Sequence, residues 1–315
     1  MEKNINMKPI KLAPAFKDYL WGGTKLKTEF DKKSDLQKVA ESWELSTHKD
    51  GQSIVANGEF KGLTLSEYIE KNGRECIGKN AMAFEFFPIL IKFIDAADNL
   101  SVQVHPSDEY ALSNEGEYGK TEMWYVLDCE KDAFLYYGLN REITKEEFAE
   151  RIKENMLLEV LNKVKVNKGD VFFINSGTIH AIGKGIVICE IQQNSNTTYR
   201  VYDYDRRDKN GNTRELHVKK AIEVSELCPA VPYKTDGKVL ARCKYFTVEK
   251  EECDGKATID VTEDCFKSVI AISGSGVLRL NDEEIHFKKG DSIFIPAQNA
   301  KVEITGVCEL IISYV

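Results

Sequence analysis

The 315-residue sequence lacks the features that direct a chain into a membrane or into a secreted disulfide scaffold. There is no run of about 18 apolar residues, and the N-terminal segment has no apolar stretch of the kind that forms a signal peptide. The eight cysteines include no Cys-x-x-Cys pair, and several lie in apolar runs, so we interpret them as reduced core residues. We therefore expect a cytoplasmic protein with no membrane partner.

Positive charge is also scarce, since 43 Lys and Arg residues face 51 Asp and Glu residues and give a formal net charge of -8. Nucleic-acid phosphates are bound by basic stripes, and none is visible here, so we expect no nucleic-acid partner. A small anionic substrate is still compatible with an acidic exterior, because a few Lys and Arg side chains can converge in one pocket.

Most of the sequence predicts β-structure. Helical patterning is confined to residues 64–71 and 144–162, which open with Thr-x-x-Glu capping boxes at Thr64 and Glu67 and at Thr144 and Glu147. Elsewhere, β-branched and aromatic runs bounded by Gly, Asp, Asn or Pro predict short strands, as at 90–94, 123–127, 171–174, 186–191 and 268–272. Many short strands with glycine-rich turns indicate a jelly roll or a sandwich.

An internal repeat indicates two copies of one β unit. Residues 166–191 and 287–312 share Lys-Gly-Asp-x-x-Phe-Ile, with an offset of 121 positions. The first copy has His180 where the second has Lys301, so only the first could bind a metal at that position. Pro229, Pro232 and Gly237 mark the linker, which gives a catalytic domain at 1–230, with the helical insertion near 144–162, and a second domain without metal ligands at 235–315.

Four residues form a candidate metal site. Gln103 and His105 are two positions apart, so on a strand their side chains share one face. Glu122 begins another predicted strand, and His180 lies in a tight turn. Two imidazoles, a carboxylate and an amide oxygen suit Zn²⁺, with Fe²⁺ or Mn²⁺ as alternatives. A histidine in a strand taken singly is more often a structural residue than a ligand, and it is the combination that indicates a metal site. The other histidines have no comparable neighbours and are interpreted as surface or core residues: His48, His217 and His286.

Longer motifs resemble those of the type I phosphomannose isomerases, zinc enzymes built from cupin barrels. They are YLWGG at 19–23, ESWELS at 41–46, FPILIKFIDA at 87–96, LSVQVHPSD at 100–108, GKTEMWYVL at 119–127, GTIHAIG at 177–183 and QQNSNTTYRVYDYDR at 192–206. The resemblance implies a mainly β fold of two cupin-type jelly-roll barrels with a few short helices. It also implies one Zn²⁺ per chain, held by Gln103, His105, Glu122 and His180. The implied reaction interconverts mannose 6-phosphate and fructose 6-phosphate through an enediol.

The resemblance marks Arg200 as catalytic, and a guanidinium can stabilise the negative charge of an enediolate. From the residues alone, Arg200 could equally pair with Asp203 or Asp205. The phosphate-binding residues that the family implies are Ser101, Lys92 and Arg206, and Lys120, two positions before Glu122, is a further candidate. Lys92 also stands out because it interrupts an apolar run, where a lysine needs a purpose or a partner.

The proton carrier is predicted from local sequence. Glu190 is an acid in an otherwise apolar strand, where burial would raise its pKa toward the range of a general base. It could also be a structural carboxylate paired with a lysine or arginine. Trp21, Trp43 and Trp124 are interpreted mainly as core residues, with Trp21 as the best candidate for contact with a sugar.

Two other functions remain compatible with a double cupin. A metal-dependent oxygenase would need an apolar oxygen pocket, whereas this sequence offers a cluster of basic residues. A sugar-binding protein without catalysis would not need metal ligands together with Arg200. We expect a sugar-phosphate isomerase that is a monomer or a weak homodimer.

Overall fold

The computed structural model describes residues 7–207 and 210–315; the first six residues of the N-terminal segment considered above lie outside it. Strands dominate, which confirms the prediction of a mainly β fold with a few short helices. The strands are β1 (Ile10–Ala13), β2 (Ala15–Lys17), β3 (Glu41–Leu45), β4 (Ile54–Val55), β5 (Ile89–Ala96), β6 (Val102–Val104), β7 (Glu122–Cys129), β8 (Phe134–Leu139), β9 (Leu161–Lys165), β10 (Val171–Ile174), β11 (His180–Ala181), β12 (Ile186–Gln193), β13 (Tyr199–Tyr202), β14 (Val239–Arg242), β15 (Thr247–Val261), β16 (Lys267–Leu280), β17 (Glu283–Lys288), β18 (Ser292–Ile295) and β19 (Ala300–Tyr314). The α-helices are α1 (Lys25–Thr28), α2 (Leu65–Asn72), α3 (Gly78–Met82), α4 (Asp108–Asn114), α5 (Lys145–Lys153) and α6 (Val218–Val224), and 3₁₀-helices span Arg74–Ile77 and Leu157–Val160.

The strands form three antiparallel sheets. The eight-stranded sheet has the order β14-β15-β19-β16-β18-β1-β4, with β17 paired to β16; the six-stranded sheet has the order β10-β7-β12-β5-β3-β2, and the five-stranded sheet β13-β6-β11-β8-β9. The six- and five-stranded sheets share one apolar cluster, to which Trp124 and Ile188 contribute from one sheet and Leu135 and Tyr137 from the other. Burial of these side chains holds the two sheets against each other and fixes the space between them.

The N-terminal strands extend the sheet formed by the C-terminal strands. Strand β1 pairs with β18, with Ile10 opposite Phe294, and also pairs with β4, where Leu12 is opposite Val55. One apolar cluster accordingly includes residues from both ends of the chain. The division of the chain into two units at 230–235 stays a prediction, and the sheets themselves cross it.

The predicted strands at 90–94, 123–127, 171–174, 186–191 and 268–272 lie within β5, β7, β10, β12 and β16. The first predicted helix is confirmed as α2, which has both capping-box hydrogen bonds between Thr64 and Glu67. The second prediction, 144–162, is wrong in its C-terminal half. Helix α5 ends at Lys153, Asn155 adopts a positive φ of 62°, and residues 161–165 pair with β8 instead of continuing the helix.

The two copies of the repeat open with the same turn. In the first, Asp170 N donates to Asn167 O and its carboxylate accepts from Asn167 N; in the second, Asp291 does the same with Lys288. Each turn leads into a strand, β10 or β18, and the second strand of each copy follows as β12 or β19. At the position of His180, the second copy has the exposed Lys301, whose ammonium lies 3.8 Å from Asp260 Oδ1.

All eight cysteines are free, and five of them are buried, in agreement with reduced core residues. Among the described helices, none is long and apolar enough to cross a bilayer. Two of the helices, α5 and α6, cover the five-stranded sheet. Phe148 of α5 and Ala221 of α6 pack in one apolar cluster with Val102 and Leu139 of that sheet.

Candidate active site

A row of four side chains crosses the six-stranded sheet. Trp43 on β3 is opposite Lys92 on β5, Lys92 is opposite Glu190 on β12, and Glu190 is opposite Trp124 on β7. Opposite residues in antiparallel strands have their side chains on the same face of the sheet. Lys92 and Glu190 therefore meet as neighbours within this face, and Trp124 Nε1 donates to Glu190 Oε2 at 2.9 Å.

The predicted metal ligands come together between the two sheets. On the five-stranded sheet, Gln103 in β6 is opposite His180 in β11, and their Nε2 atoms are 3.4 Å apart. His105 follows β6, and its ring centroid lies 4.8 Å from that of His180. Glu122 opens β7 on the facing sheet, with its carboxylate oxygens 3.6 Å from His105 Nε2 and 3.3 Å from His180 Nε2. Residues from two sheets thus converge on one point.

Backbone carbonyls fix the orientation of both imidazoles. His105 Nδ1 lies 2.9 Å from Thr197 O, and His180 Nδ1 lies 2.9 Å from Thr178 O. A carbonyl only accepts, so Nδ1 carries the proton in each ring and Nε2 keeps its lone pair. Burial lowers the pKa of both imidazoles, which favours the neutral, ligating form.

Two of the ligand atoms in this cluster, His105 Nε2 and Glu122 Oε1, have no hydrogen-bond partner among the described residues, and Glu122 Oε2 is paired only with the ammonium of Lys120. Burial raises the pKa of Glu122, and the negative charge of Glu190 raises it further. A cation bound by the carboxylate would offset both costs. Two imidazole nitrogens, a carboxylate and the nearby Gln103 amide are donors that suit a borderline metal such as Zn²⁺, so the residues fit a metal.

A cavity of about 230 Å³ opens beside this cluster. The predicted site residues in its lining are Lys92, Ser101, Gln103, Lys120, Glu190 and Arg200. Its lining is largely polar and includes six charged residues, which suits a small polar ligand rather than an apolar one. A second cavity, of about 510 Å³, lies beside α2 and contains none of the predicted site residues.

Arg200 is held at the cavity by neutral partners. Its Nε donates to Ser101 Oγ at 3.2 Å, and its Nη1 donates to Glu215 O at 3.0 Å. The carboxylate of Asp203, one of the two alternative partners considered for Arg200, instead binds Arg214 through two hydrogen bonds of 2.8 and 2.5 Å. Burial, with the nearby charge of Arg214, lowers the pKa of the Arg200 guanidinium.

Lys92 and Lys120 are buried lysines placed among carboxylates. Lys92 Nζ lies 3.5 Å from both Glu41 Oε2 and Glu190 Oε1, and only 4% of its side chain is exposed. Lys120 Nζ lies 3.0 Å from Glu122 Oε2 and 3.7 Å from Glu190 Oε1. Burial would raise the pKa of Glu190, but Lys120 and Lys92 outweigh it and lower that pKa. The raised pKa expected for Glu190 is therefore wrong, because the two lysines stabilise its charged form.

Arg206 does not line the cavity. Its Nη2 donates to Asn99 O at 2.5 Å and lies 3.7 Å from Asp203 Oδ1. Arg214 lines the cavity instead, and sequence reasoning missed it. No motif marked Arg214, whereas Glu41, a second missed lining residue, lies in the ESWELS motif and could have been found there.

The tryptophans are buried, as expected of core residues. Trp43 and Trp124 each donate an indole N–H to a carboxylate, Trp43 to Glu41 at 2.7 Å and Trp124 to Glu190. Trp21 lines the cavity, where its ring is 4% exposed. Two tryptophans thus fix acidic groups of the site, and the third forms part of its wall.

Comparison with known proteins identifies the family. Residues 10–133 match the family described as phosphomannose isomerase type I, catalytic domain, and residues 236–315 match mannose-6-phosphate isomerase, cupin domain. Mannose-6-phosphate isomerase ManA of Bacillus subtilis is 43% identical over 98% of this chain and 100% of its own length. The chain belongs to the type I mannose-6-phosphate isomerase family.

Two further relatives cover the region between the two matched domains, which contains His180, Glu190 and Arg200. A mannose-6-phosphate isomerase of Streptococcus mutans is 37% identical over 97% of this chain and 98% of its own. A crystal structure of a mannose 6-phosphate isomerase from Bacillus subtilis superimposes with a TM-score of 0.89, at 38% identity over 98% of this chain and 100% of that chain. The similarity to isomerases of this family therefore includes the region between the two matched domains.

Proposed function

We propose that this isomerase interconverts mannose 6-phosphate and fructose 6-phosphate through an enediol, with one zinc ion per chain. The observation that carries the proposal is the buried cluster of His105, Glu122 and His180, whose ligand atoms lie within 4.8 Å of one another beside a small cavity lined by Lys120 and Arg200. The relatives named above share this activity in name and match the chain over nearly its full length.

Gln103, His105, Glu122 and His180 would hold the zinc. When bound, it supplies a Lewis acid that polarises sugar oxygens and stabilises negative charge developing on them. Zinc sites of this kind use imidazole and carboxylate ligands and keep a position for substrate or water, which four protein ligands permit if coordination expands to five. The open cavity beside the cluster provides the space for that position.

The chain's own residues supply the remaining chemistry. An aldose–ketose isomerase moves a proton between C1 and C2, which requires a base close to both carbons. We assign this role to Glu190 Oε1, because Trp124 holds the other oxygen, whereas Oε1 has only the longer ion pairs of 3.5 and 3.7 Å with Lys92 and Lys120. The lowered pKa keeps Glu190 ionised and ready to accept a proton.

Arg200 is proposed to stabilise the charge of the enediolate, because its guanidinium is permanently charged and lies in the cavity wall. Ser101 and Lys120 are proposed to bind the substrate from the same wall, and Arg214 adds a cation there. Lys92 neutralises Glu41 and Glu190, and its predicted contact with substrate, like that of Arg206, stays a prediction.

The residues of the site argue against the two alternative functions, the oxygenase and the sugar-binding protein without catalysis. An oxygenase requires an apolar oxygen pocket, whereas Lys92, Lys120, Arg200 and Arg214 all border this cavity. A binding protein without catalysis would not need the full set of ligands together with Arg200. The cytoplasmic location and the monomeric or weakly dimeric state stay predictions.

The test is an isomerisation assay with mannose 6-phosphate, coupled to metal analysis before and after chelation. We expect about one zinc per chain in the active protein, loss of activity on its removal, and recovery when Zn²⁺ is added back. Full activity after complete metal removal would overturn the proposal. Failure to convert mannose 6-phosphate in the metal-loaded state would overturn the assigned reaction.

A further inference from the structure

The orientation of His105 depends on a loop distant in sequence. Residues 194–198 connect β12 to β13, and Thr197 O in this loop accepts the Nδ1–H of His105 at 2.9 Å. The partner of Nδ1 decides which ring nitrogen keeps the lone pair and where that lone pair points. The position of the Thr197 carbonyl therefore sets how His105 presents Nε2 to Glu122.

The carboxylate of Glu117 accepts two hydrogen bonds from this loop, and Asp50 Oδ2 accepts a third from Asn196 Nδ2 at 2.9 Å. Glu117 Oε2 accepts from Asn196 N at 3.3 Å and from Thr197 Oγ1 at 3.5 Å. Glu117 belongs to the connection between α4 and β7, and its side chain is 17% exposed. It therefore links the segment that leads to Glu122 with the segment that orients His105.

Glu117 is anchored in turn by a third segment. Its Oε1 lies 2.7 Å from Lys49 Nζ, and its Oε2 lies 3.4 Å from His48 Nε2. Although partial burial raises the pKa of Glu117, its bonds to Lys49 and Asn196 outweigh burial and lower that pKa. The carboxylate is thus ionised, and hydrogen bonds accepted by an ionised group are stronger than neutral ones.

The other imidazole of the cluster has no such dependence. His180 Nδ1 bonds to Thr178 O, two residues earlier in its own turn. A change in the loop at 194–198 would therefore affect His105 and leave the support of His180 in place. A variant that displaces this loop is therefore expected to change the orientation of His105 and not that of His180.

We propose that Glu117 is a positioning residue for the metal centre, acting on His105 through Asn196 and Thr197. The inference rests on the proposed metal site. The same loop places Asn196 and Thr198 in the cavity lining, so displacement of the loop also changes the cavity wall. Glu117 itself is not in that cavity lining, and in the part of the chain that the structure describes its carboxylate binds Lys49, His48, Asn196 and Thr197.

The test measures the Zn²⁺ dissociation constant of the purified protein by competition with a chromophoric chelator. Partners that orient metal-bound histidines change metal affinity by about 10- to 100-fold, so we expect Glu117→Ala to weaken Zn²⁺ binding about 10-fold. Glu117→Gln keeps an oxygen that can accept from Asn196 N and Thr197 Oγ1 but loses the charge, so its loss of Zn²⁺ affinity should be smaller than that of Glu117→Ala.

A control variant separates this role from general damage. Glu109→Ala removes an exposed carboxylate from α4 and should retain Zn²⁺ affinity within about twofold of the unmodified protein, well inside the effect expected of Glu117→Ala. Lys49→Met removes the ion pair that anchors Glu117 but leaves its bonds to the loop, so its loss of Zn²⁺ affinity should be smaller than that of Glu117→Ala. If Glu117→Ala does not fold, Thr197→Val removes one of the two loop hydrogen bonds without a change in volume and should weaken Zn²⁺ binding less.

Unchanged Zn²⁺ affinity in a folded Glu117→Ala protein, or in Thr197→Val where Glu117→Ala does not fold, would overturn the inference. An equal loss in Glu109→Ala would do the same. If the unmodified protein binds no Zn²⁺, the proposed metal site fails first, and this outcome is distinguishable because it precedes any comparison of variants. A lowered melting temperature with intact Zn²⁺ affinity would show a merely structural role for Glu117.

Discussion

Lys92 and Glu190 face each other across β5 and β12, with Lys92 Nζ 3.5 Å from Glu190 Oε1 and equally far from Glu41 Oε2. Lys92 thus lies between two buried carboxylates, one of which, Glu190, also lies near Lys120. The cross-strand register places Lys92 between Glu190 and Trp43, and the indole N–H of Trp43 binds Glu41. Removal of Lys92 would leave negative charge in a region from which water is largely excluded.

Lys92→Met is expected to lower the free energy of unfolding by about 3–5 kcal/mol, the cost of breaking a buried ion pair on one side. Methionine has a side chain of similar length without the charge, so the lost stability measures the contribution of the Lys92 ammonium. Urea denaturation measures the change, with the exposed Lys301→Met as the matched control. Equal stability of the two variants would show that Glu41 and Glu190 do not need the Lys92 charge.

Arg200→Ala is expected to lower kcat by about 100- to 1,000-fold, the effect of removing one preorganised charge-stabilising group from an active site. Arg200→Lys should recover only part of this loss, because an ammonium cannot reproduce the planar fork that bonds Ser101 Oγ and Glu215 O. Steady-state kinetics with mannose 6-phosphate test both, and Arg279→Ala on the exposed face of β16 is the control. A kcat within threefold of the unmodified enzyme in Arg200→Ala would contradict the assigned role.

Arg214→Met is expected to raise KM for mannose 6-phosphate about 10-fold, since a hydrogen bond to a charged group contributes about 1.5–3 kcal/mol. Arg206→Met should raise KM less, because Arg206 lies outside the cavity lining and bonds Asn99 O. The two variants are compared in the same kinetic assay. A larger rise in KM from Arg206→Met than from Arg214→Met would favour Arg206 as the substrate contact and contradict a substrate contact of Arg214.

The two glycines of the repeat provide a stability test with an internal control. Gly169 and Gly290 have φ of 91° and 94°, values at which alanine costs about 1–2 kcal/mol. A Cβ on Gly290 would also lie 2.3 Å from Phe30 O, whereas on Gly169 its nearest neighbour, Tyr125 Oη, is 3.9 Å away. Overpacking adds about 1–3 kcal/mol, so Gly290→Ala should be the more destabilising variant in urea denaturation. The reverse order would contradict the close approach of Gly290 to Phe30.

Local sequence predicted the elements whose signals are local. The strand around Lys92 is a run of β-branched and aromatic residues, and the capping box at Thr64 identified the start of α2. The end of α5 was missed because no glycine or proline follows it. Asn155 takes a positive φ there, and Leu161–Lys165 gains more from pairing with β8 than from remaining helical.

The candidate ligands could be named from sequence, but their surroundings could not. The spacing of Gln103 and His105 shows that they share a face, whereas the convergence of Glu122 depends on how two sheets pack. Likewise, the position of Glu190 on an apolar strand indicates burial and hence a raised pKa. Only the cross-strand neighbour Lys92 and the nearby Lys120 reveal that its pKa is lowered.

Strand β1 has a consequence for how the chain reaches its final state. The ammonium of Lys11 in this strand donates to Asp291, a residue 280 positions away. The strand itself pairs with β18 and β4 in the same sheet. During synthesis, β1 must wait for nearly the whole chain to emerge before β18 can cover its edge. The long-range pairing of β1 with β18 is therefore expected to form late and slowly in folding. Until it forms, the edge of β1 that contains Ile10 and Leu12 is unpaired and can pair with other chains.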